Sequence, residues 1–450
     1  MEDGRSEEMC TKITGLRLDE NRTPPDEPPA LPNELIEEIV AQLPRRAAVL
    51  KNCALVGRAW ATPCRARLFA HLTVYPRAYP TTLSDPQDSL ASSSPPAVRE
   101  QLAALLAMPA MLVAAPDIAE NVRILTVQMM RLPSPSDRSS AAQAAVKILH
   151  MLPRLHTLTL DARHLDYPDF SPTLQSTLCG VLNRPSLSAL HLREQDVTDV
   201  GVHALLSSAR HLRRLSIWPR PLLYVRLDGD DVPPFPHDFY RPQLAALHLV
   251  GPFDAALAWA SAPHCPLDLR ALRSLSLSPR RAFDMGGAFT RFAAAHGKAL
   301  CDVWTTTNEP IAGVGLAFLE HMPALRVVRV RDRVLAPWSL RCVTELLEMA
   351  VRVTRVETFE LRVAIWPAAA DVDRRREFGP EAPPIRWREV DRRLCRLRES
   401  HSLKRIRLIA IPREEANHED AERLRGWVAY CLPEFTAAWR DVLHFDAVEG

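Results

Sequence analysis

The sequence has almost none of the arrangements that catalysis or metal binding needs. Its nine cysteines stand singly, at 10, 53, 64, 179, 265, 301, 342, 395 and 431, with no Cys-x-x-Cys pair. That spacing argues against a zinc module and for a reducing compartment. No G-x-x-x-x-G-K-[ST], H-E-x-x-H or G-x-S-x-G occurs, and Gly313-Val314-Gly315 lacks the third glycine of a dinucleotide loop. The expectation is a chain with no catalytic residue, no cofactor and no metal, and so not an enzyme. Long apolar runs are missing as well. No stretch approaches the ~18 to 20 residues of a membrane span, and the amino-terminal MEDGRSEEMC is charged. An intracellular protein is expected, cytoplasmic or nuclear, with no membrane contact.

One-sided charge is also absent. The 56 basic and 54 acidic residues leave a formal net charge of +2, which gives no reason to expect nucleic acid as a partner. Partner choice must then lie in local patches. Apolar residues make up 47% of the 450, enough for a large core.

The apolar residues are patterned as a repeat, L-x-x-L-x-L. Clear copies are Leu155, Leu158, Leu160; Leu187, Leu190, Leu192; Leu212, Leu215, Ile217; Leu244, Leu247, Leu249; and Leu272, Leu275, Leu277. The series continues as Leu325, Val328, Val330; Val356, Phe359, Leu361; and Leu403, Ile406, Leu408. Val122, Leu125, Val127 is a plausible earlier copy, and Leu300 with Val303 a degenerate one. The last two residues of each copy lie two apart, so both point to one side of a strand, and the first sits in the turn leading in. Amphipathic helical stretches separate the copies, among them SAAQAAVKILHML, TLQSTLCGVLNR, GVHALLSSARHL, AFTRFAAAHGKAL and RCVTELLEMAVRV. A single copy cannot bury its leucines, so neighbours must stack, and a parallel array of nine or ten strands ~4.8 Å apart would span about 40 to 50 Å.

Around the repeat, residues 1–30 read as a flexible tail ending in TPPDEPPA, and Pro-rich polar loops are expected near 76–97, 226–242 and 367–386. Residues 420–450 read as a terminal helical cap.

Ahead of the repeat, Leu35, Ile36, Ile39, Val40 and Leu43 recur at helical spacing. Pro32 suits the first turn of that helix and Pro44 stops it. A second apolar run, Ala47 to Val56, closes at Gly57, and Thr62-Pro63 has the form of a helix start for a third segment carrying Leu68 and Phe69. So small a unit buries too little surface to stand securely alone.

Leu31-Pro32, Leu35, Ile39, Leu43, Leu50, Cys53, Leu55, Val56 and Trp60 follow the order and approximate spacing of the F-box, which this stretch of about forty residues resembles. The unit beginning at Leu187 continues as QDVTDVGVHALL, which is similar to the cysteine-containing class of leucine-rich repeats, and the overall arrangement looks like fungal F-box proteins with divergent repeats. The resemblance implies an α/β chain: a three-helix F-box at 31–75, then an irregular leucine-rich-repeat solenoid at 71–419 with strands on the concave side and helices on the convex side. It implies that Leu31, Pro32, Leu35, Ile39, Leu43, Leu50, Leu55, Val56 and Trp60 dock a Skp-type adaptor and through it a cullin, while the repeats select a protein substrate for ubiquitination. The alternative is an interaction scaffold whose first helices merely cap the array. Packing of Leu31, Pro32, Leu35 and Ile39 on the first repeat would favour the scaffold, and their exposure the ligase adaptor.

Alternation in each strand turns a second set of residues away from the leucines. These are Thr159 and Asp161; His191 and Arg193; Ser216 and Trp218; His248 and Val250; Ser276 and Ser278; Arg329 and Arg331; Glu360 and Arg362; Arg405 and Arg407. The ladder begins neutral and ends in five arginines against one glutamate. Candidate substrate-binding residues are therefore Trp218, Arg329, Arg331, Arg362, Arg405 and Arg407, suited to an acidic or phosphorylated protein segment. The plainer alternative pairs those arginines with Glu357, Glu360 and nearby acidic residues, and packs Trp218 under the PRPLLYV loop. His191 and His248 read as ladder residues because no third ligand accompanies them.

Overall fold

The computed structural model describes residues 31–43, 47–74, 95–128, 135–161, 170–193, 200–218, 240–251, 254–263, 265–278, 286–307, 320–332, 355–364, 403–411 and 443–447, with scattered positions between 388 and 440. The tail at 1–30, Pro44, the loop at 367–386, most of those near 76–97 and 226–242, and the RCVTELLEMAVRV segment lie outside the described residues. The chain divides into two units, Met1–Leu68 and Phe69–Gly450.

The first unit contains α1 (Asn33–Gln42), α2 (Ala47–Ala54) and α3 (Arg58–Leu68). Pro32 is the N-cap of α1 and not part of its first turn: its backbone is extended (φ −52°, ψ 142°), while its carbonyl accepts the N–H groups of Leu35 and Ile36 at 3.1 Å. Helix α3 starts earlier than Thr62-Pro63 suggests. The carbonyl of Gly57 accepts the N–H groups of Trp60 and Ala61, and Pro63 falls inside the helix. Proline already has a helical φ, so at this position it costs one hydrogen bond without setting the boundary. A small core of Ile36, Val40, Leu50 and Cys64 joins the three helices, with Leu43, Cys53, Ala54, Trp60 and Leu68 packed at its margin. The guanidinium of Arg67 donates to the Val40 carbonyl, tying α3 to the end of α1.

The second unit is built on one parallel sheet of twelve described strands in sequence order. They are β1 (His71–Val74), β2 (Ile124–Gln128), β3 (Thr157–Asp161), β4 (Ala189–Arg193), β5 (Arg214–Trp218) and β6 (Ala246–Val250), then β7 (Ser274–Ser278), β8 (Asp302–Thr307), β9 (Val327–Asp332), β10 (Thr358–Ala364), β11 (Arg405–Ile411) and β12 (Leu443–Ala447). Each strand pairs only with its neighbours in sequence, a solenoid-like arrangement. Register keeps equivalent residues side by side: Leu125, Leu158, Leu190, Leu215, Leu247, Leu275, Val303, Val328, Phe359 and Ile406 form one row. All ten are buried.

At every described junction from β2 to β11, two successive N–H groups at the strand entry donate to one carbonyl of the preceding rung, as Thr157 and His156 do to Arg123. The leading leucines close the turn before the strand: the N–H groups of Leu187, Leu212, Leu272, Leu300 and Leu325 each donate to a carbonyl three residues back. Helices α4 (Pro95–Ala114), α5 (Pro116–Asn121), α6 (Pro135–Met151), α7 (Pro172–Leu182), α8 (Val200–Ser208), α9 (Asp254–Ser261) and α10 (Gly286–His296) fall between strands, and α11 (Pro433–Ala438) precedes the last one. Their buried residues, such as Ile148, Leu149, Leu178, Leu205, Trp259 and Phe292, belong to the same core as the strand leucines. Each such buried side chain contributes ~1.5 to 3 kcal/mol.

His71–Val74 pairs with β2, Leu72 beside Leu125 and Val74 beside Val127, so the sheet starts at 71, and the first unit ends at Leu68. Two expectations about the array need correction. Helix α4 begins at Pro95, inside the stretch expected to be loop, because two prolines fit a first turn that needs no N–H partner. The segment 420–450 is not all helical: Leu443 and Phe445 take the positions of Ile406 and Leu408 in a twelfth strand. Their spacing of two is the strand period, hidden in sequence by Arg440 at the place of the leading leucine.

Two glycines give the packing a direct check. Gly180 lies within α7 with nothing within 4 Å of where a Cβ would stand, whereas at Gly297 a Cβ would come 2.6 Å from the backbone oxygen of His321. Gly180→Ala should raise the stability of the sheet unit by ~0.5 to 1 kcal/mol, and Gly297→Ala should lower it by about 1 to 3 kcal/mol. Denaturant unfolding of both variants measures each change.

Candidate functional site

On the helical unit, the apolar residues of α1 divide between two sides. Ile36 and Val40 point into the small core, while Leu35 and Ile39 remain 46% and 40% exposed beside Leu31 at 49%. Leu55 and Val56, in the turn between α2 and α3, are 84% and 70% exposed, and Pro32 is exposed too. Of the nine residues expected to dock an adaptor, Leu31, Pro32, Leu35, Ile39, Leu55 and Val56 are thus available to a partner. Leu43 and Trp60 are half-buried at the edge of the core, and Leu50 is fully inside it. Leu50 holds the helices together and cannot itself be a contact residue, because its position in α2 faces Ile36 and Val40 of the core and not solvent.

The second surface is the side of the sheet opposite the leucine row. Residues there align across the strands as Thr126, Thr159, His191, Ser216, His248, Ser276, Trp304, Arg329, Glu360, Arg407 and His444. Trp304 was not singled out by the sequence. Its copy is degenerate, with Thr305 in the place of the third leucine, and only the register of β8 with β7 and β9 brings it into the row.

Two tryptophans on this surface carry stacked arginines. The guanidinium carbon of Arg193 lies 3.7 Å from the ring centre of Trp218, and one of its nitrogens lies 3.8 Å from buried Asp161. The guanidinium of Arg362 lies 4.7 Å from the ring centre of Trp304, and its Nε donates to Glu360 at 2.6 Å. Each pair combines attraction of a cation to an aromatic face with a carboxylate that fixes the guanidinium plane. The indole N–H groups of both tryptophans are enclosed by neighbouring atoms and have no hydrogen-bond partner among the described residues, so the rings present their faces and edges rather than a donor. The PRPLLYV loop expected over Trp218 lies outside the described residues.

The arginine-rich end is organised around Glu360. Its carboxylate, 4% exposed, is met by Arg362 at 2.6 Å, Arg407 at 3.4 Å and Arg329 at 3.8 Å, and Arg329 also pairs with Asp302. Those arginines keep 32% (Arg329), 29% (Arg362) and 34% (Arg407) of their own surface. Burial pushes the Asp302 carboxyl above its usual range, against the lowering effect of Arg329 beside it. Glu357 pairs separately with Arg326 and Lys404 at the strand entries, and these two cations hold its carboxyl below its usual range. The pairing foreseen as the plainer alternative therefore exists, but it leaves three guanidinium groups partly open over two carboxylates.

One of the expected arginines stands outside this cluster. Arg405 is in register with Thr358, not with Arg362, and is exposed at the start of β11. The neighbour of Arg362 across the β10–β11 ladder is Ile409, because Arg407 is the residue between the two strand positions of that copy. Arg331 stands beside Arg362 in register, and its side chain lies outside the described residues. No group of three or more possible metal-ligating side chains occurs among the described residues. His191 and His248 are separated by the strand of Ser216, and burial lowers both pKa values, that of His248 to about 4.

A neutral, half-buried His248 makes a pH prediction. Its native pKa of about 4 lies below the ordinary 6.5, so the unfolded chain takes up its proton first as pH falls. This residue should therefore contribute nothing to the pH dependence above 6.5 and should destabilise the fold between 6.5 and about 4, by on the order of 2 kcal/mol from pH 7 to pH 4.5. Denaturant unfolding at those two pH values should show a smaller loss for His248→Gln than for the wild type.

The chain matches no family model, and no curated protein matches it.

Proposed function

We propose that this protein is the substrate-recognition adaptor of a cullin-RING (SCF-type) ubiquitin ligase, with an F-box in the helical unit and leucine-rich repeats in the sheet unit. The observation that carries this reading is the set of large apolar side chains left open on a unit with its own core: Leu31, Leu35, Ile39, Leu55 and Val56. An apolar patch of this kind on a small helical unit is what a partner's surface covers. A Skp-type adaptor is the partner implied by the resemblance of Leu31-Pro32, Leu35, Ile39, Leu55 and Val56 to the F-box, and a cullin follows through it.

In this reading the sheet unit holds the substrate on its open surface, an acidic or phosphorylated protein segment meeting Arg329, Arg362 and Arg407. The mechanism is recruitment. Bringing substrate and conjugating enzyme into one assembly raises their effective concentration, and no catalytic side chain is required from this chain.

Capture of the host's Skp-type adaptor by purified protein tests the proposal. Wild type should bind, and a Leu31→Ala, Leu35→Ala, Ile39→Ala variant should bind at least ~100-fold more weakly, since truncating a central apolar anchor costs ~2 kcal/mol or more. These side chains lie outside the small core, so the variant should keep the helical content of the wild type, read by circular dichroism. Absence of binding by folded wild type would overturn the adaptor reading.

A further inference from the structure

Between the two arginine-tryptophan pairs lies a stretch of sheet with a different character. The floor there is His248 and Val250 of β6 and Ser276 and Ser278 of β7, all half-buried, with His248 contacting the Ser278 hydroxyl at 3.4 Å. No acid, lysine or arginine projects from β6 or β7 on this side. The floor is thus neutral, and its side chains are small apart from His248 and Val250. Trp218 bounds it on β5 and Trp304 on β8, and each ring is held by a guanidinium.

The two ends differ in charge. At the β3–β5 end Arg193 faces Asp161, with Arg214 exposed at the start of β5. At the β8–β10 end and on β11, Arg329, Arg362 and Arg407 face Asp302 and Glu360, with Arg331 in register beside Arg362 and Arg405 exposed two residues before Arg407, so arginines outnumber carboxylates in a site where the carboxylates sit beneath and the guanidinium edges are open. A dianionic phosphate sets about twice the negative charge of a peptide carboxylate against Glu360 and Asp302 beneath, so a carboxylate is the better fit.

Distance sets a second condition. From Trp218 on β5 to Arg329 on β9 is four strand spacings, and to Glu360 on β10 five, ~19 to 24 Å, and an extended peptide advances ~3.3 Å per residue, so about six residue steps join the two ends. We infer that this surface takes an extended peptide lying across the strands. An Asp or Glu of the peptide sits on Arg329, Arg362 and Arg407, and an apolar or aromatic side chain about six residues away lies against Trp218 and Arg193. The serine hydroxyls and His248 face the intervening peptide backbone. The inference rests on the reading that the sheet unit captures a protein segment, and it names the class of segment.

Fluorescence anisotropy of the full chain with labelled peptides tests it. The probes hold one Phe and one Glu separated by one, three, five or seven serines, in both orders. Companion peptides carry Gln or phosphoserine in place of Glu, or Ala in place of Phe. The expected result is saturable binding that peaks at five intervening serines and weakens ~10-fold or more with Gln, with Ala, or at the shortest spacing. Trp218→Ala and Arg362→Ala should each remove the spacing preference. Arg362→Lys, which keeps the charge and loses the planar stacking group, should weaken binding while preserving the circular-dichroism melt. No saturable binding, equal binding at all spacings, or unchanged binding by the three variants would overturn the inference. Tighter binding of phosphoserine than of Glu would overturn the choice of a carboxylate. Adaptor capture by the same preparations separates the two proposals: capture without peptide binding sinks only this one, and peptide binding without capture sinks only the ligase reading.

Discussion

The sheet unit depends on one repeated junction: two N–H groups at the entrance of each strand share a carbonyl of the strand before, while the leucines two residues apart on that strand pack beside their equivalents. Parallel strands cannot be joined by a tight turn, so each connection must cross back over the sheet, and the helices that do so supply the other half of the apolar core. Hydrogen bonds fix the spacing and the leucines fix the side. A slip of one residue in any strand would turn its leucines away from the helices and its polar residues into the core, so register is strongly specified even where a copy is degenerate.

The same register decides what the opposite surface can do. Strand periodicity sends His191, Ser216, His248, Ser276 and Trp304 to one side in turn, and stacking brings residues far apart in sequence within reach of each other. Glu360 is the clearest case. A carboxylate that deeply enclosed is costly unless several donors meet it, and three arginines from three adjacent strands do so. The arrangement orders the guanidinium groups and leaves their outer edges open. It acts as a prepared cationic surface instead of a set of loose surface ion pairs, which contribute little.

The helical unit solves a different problem. Its core of Ile36, Val40, Leu50 and Cys64 is small, and α1 carries more apolar surface than that core can cover. The excess, at Leu35 and Ile39 with Leu31 ahead of them, remains open alongside Leu55 and Val56. An exposed apolar group of this size is unfavourable in water, and covering it on association is a driving force for a stable assembly.

The sequence by itself determined the elements that obey a short period. Leucines two apart marked nearly every strand, the amphipathic stretches between them marked α6, α7, α8 and α10, and the alternation of each strand named most of the open surface. These follow from local stereochemistry, which any window of the chain expresses. Tertiary structure alone decided the rest. Whether Ile36 or Leu35 faces the core depends on where α2 and α3 lie. The placing of Trp304 beside Arg362 and the twelfth strand at Leu443 both depend on inter-strand register. A spacing along one strand says nothing about which residue of the next strand stands opposite, because that is set by hydrogen bonds and packing between rungs, and those exist only once the chain is stacked.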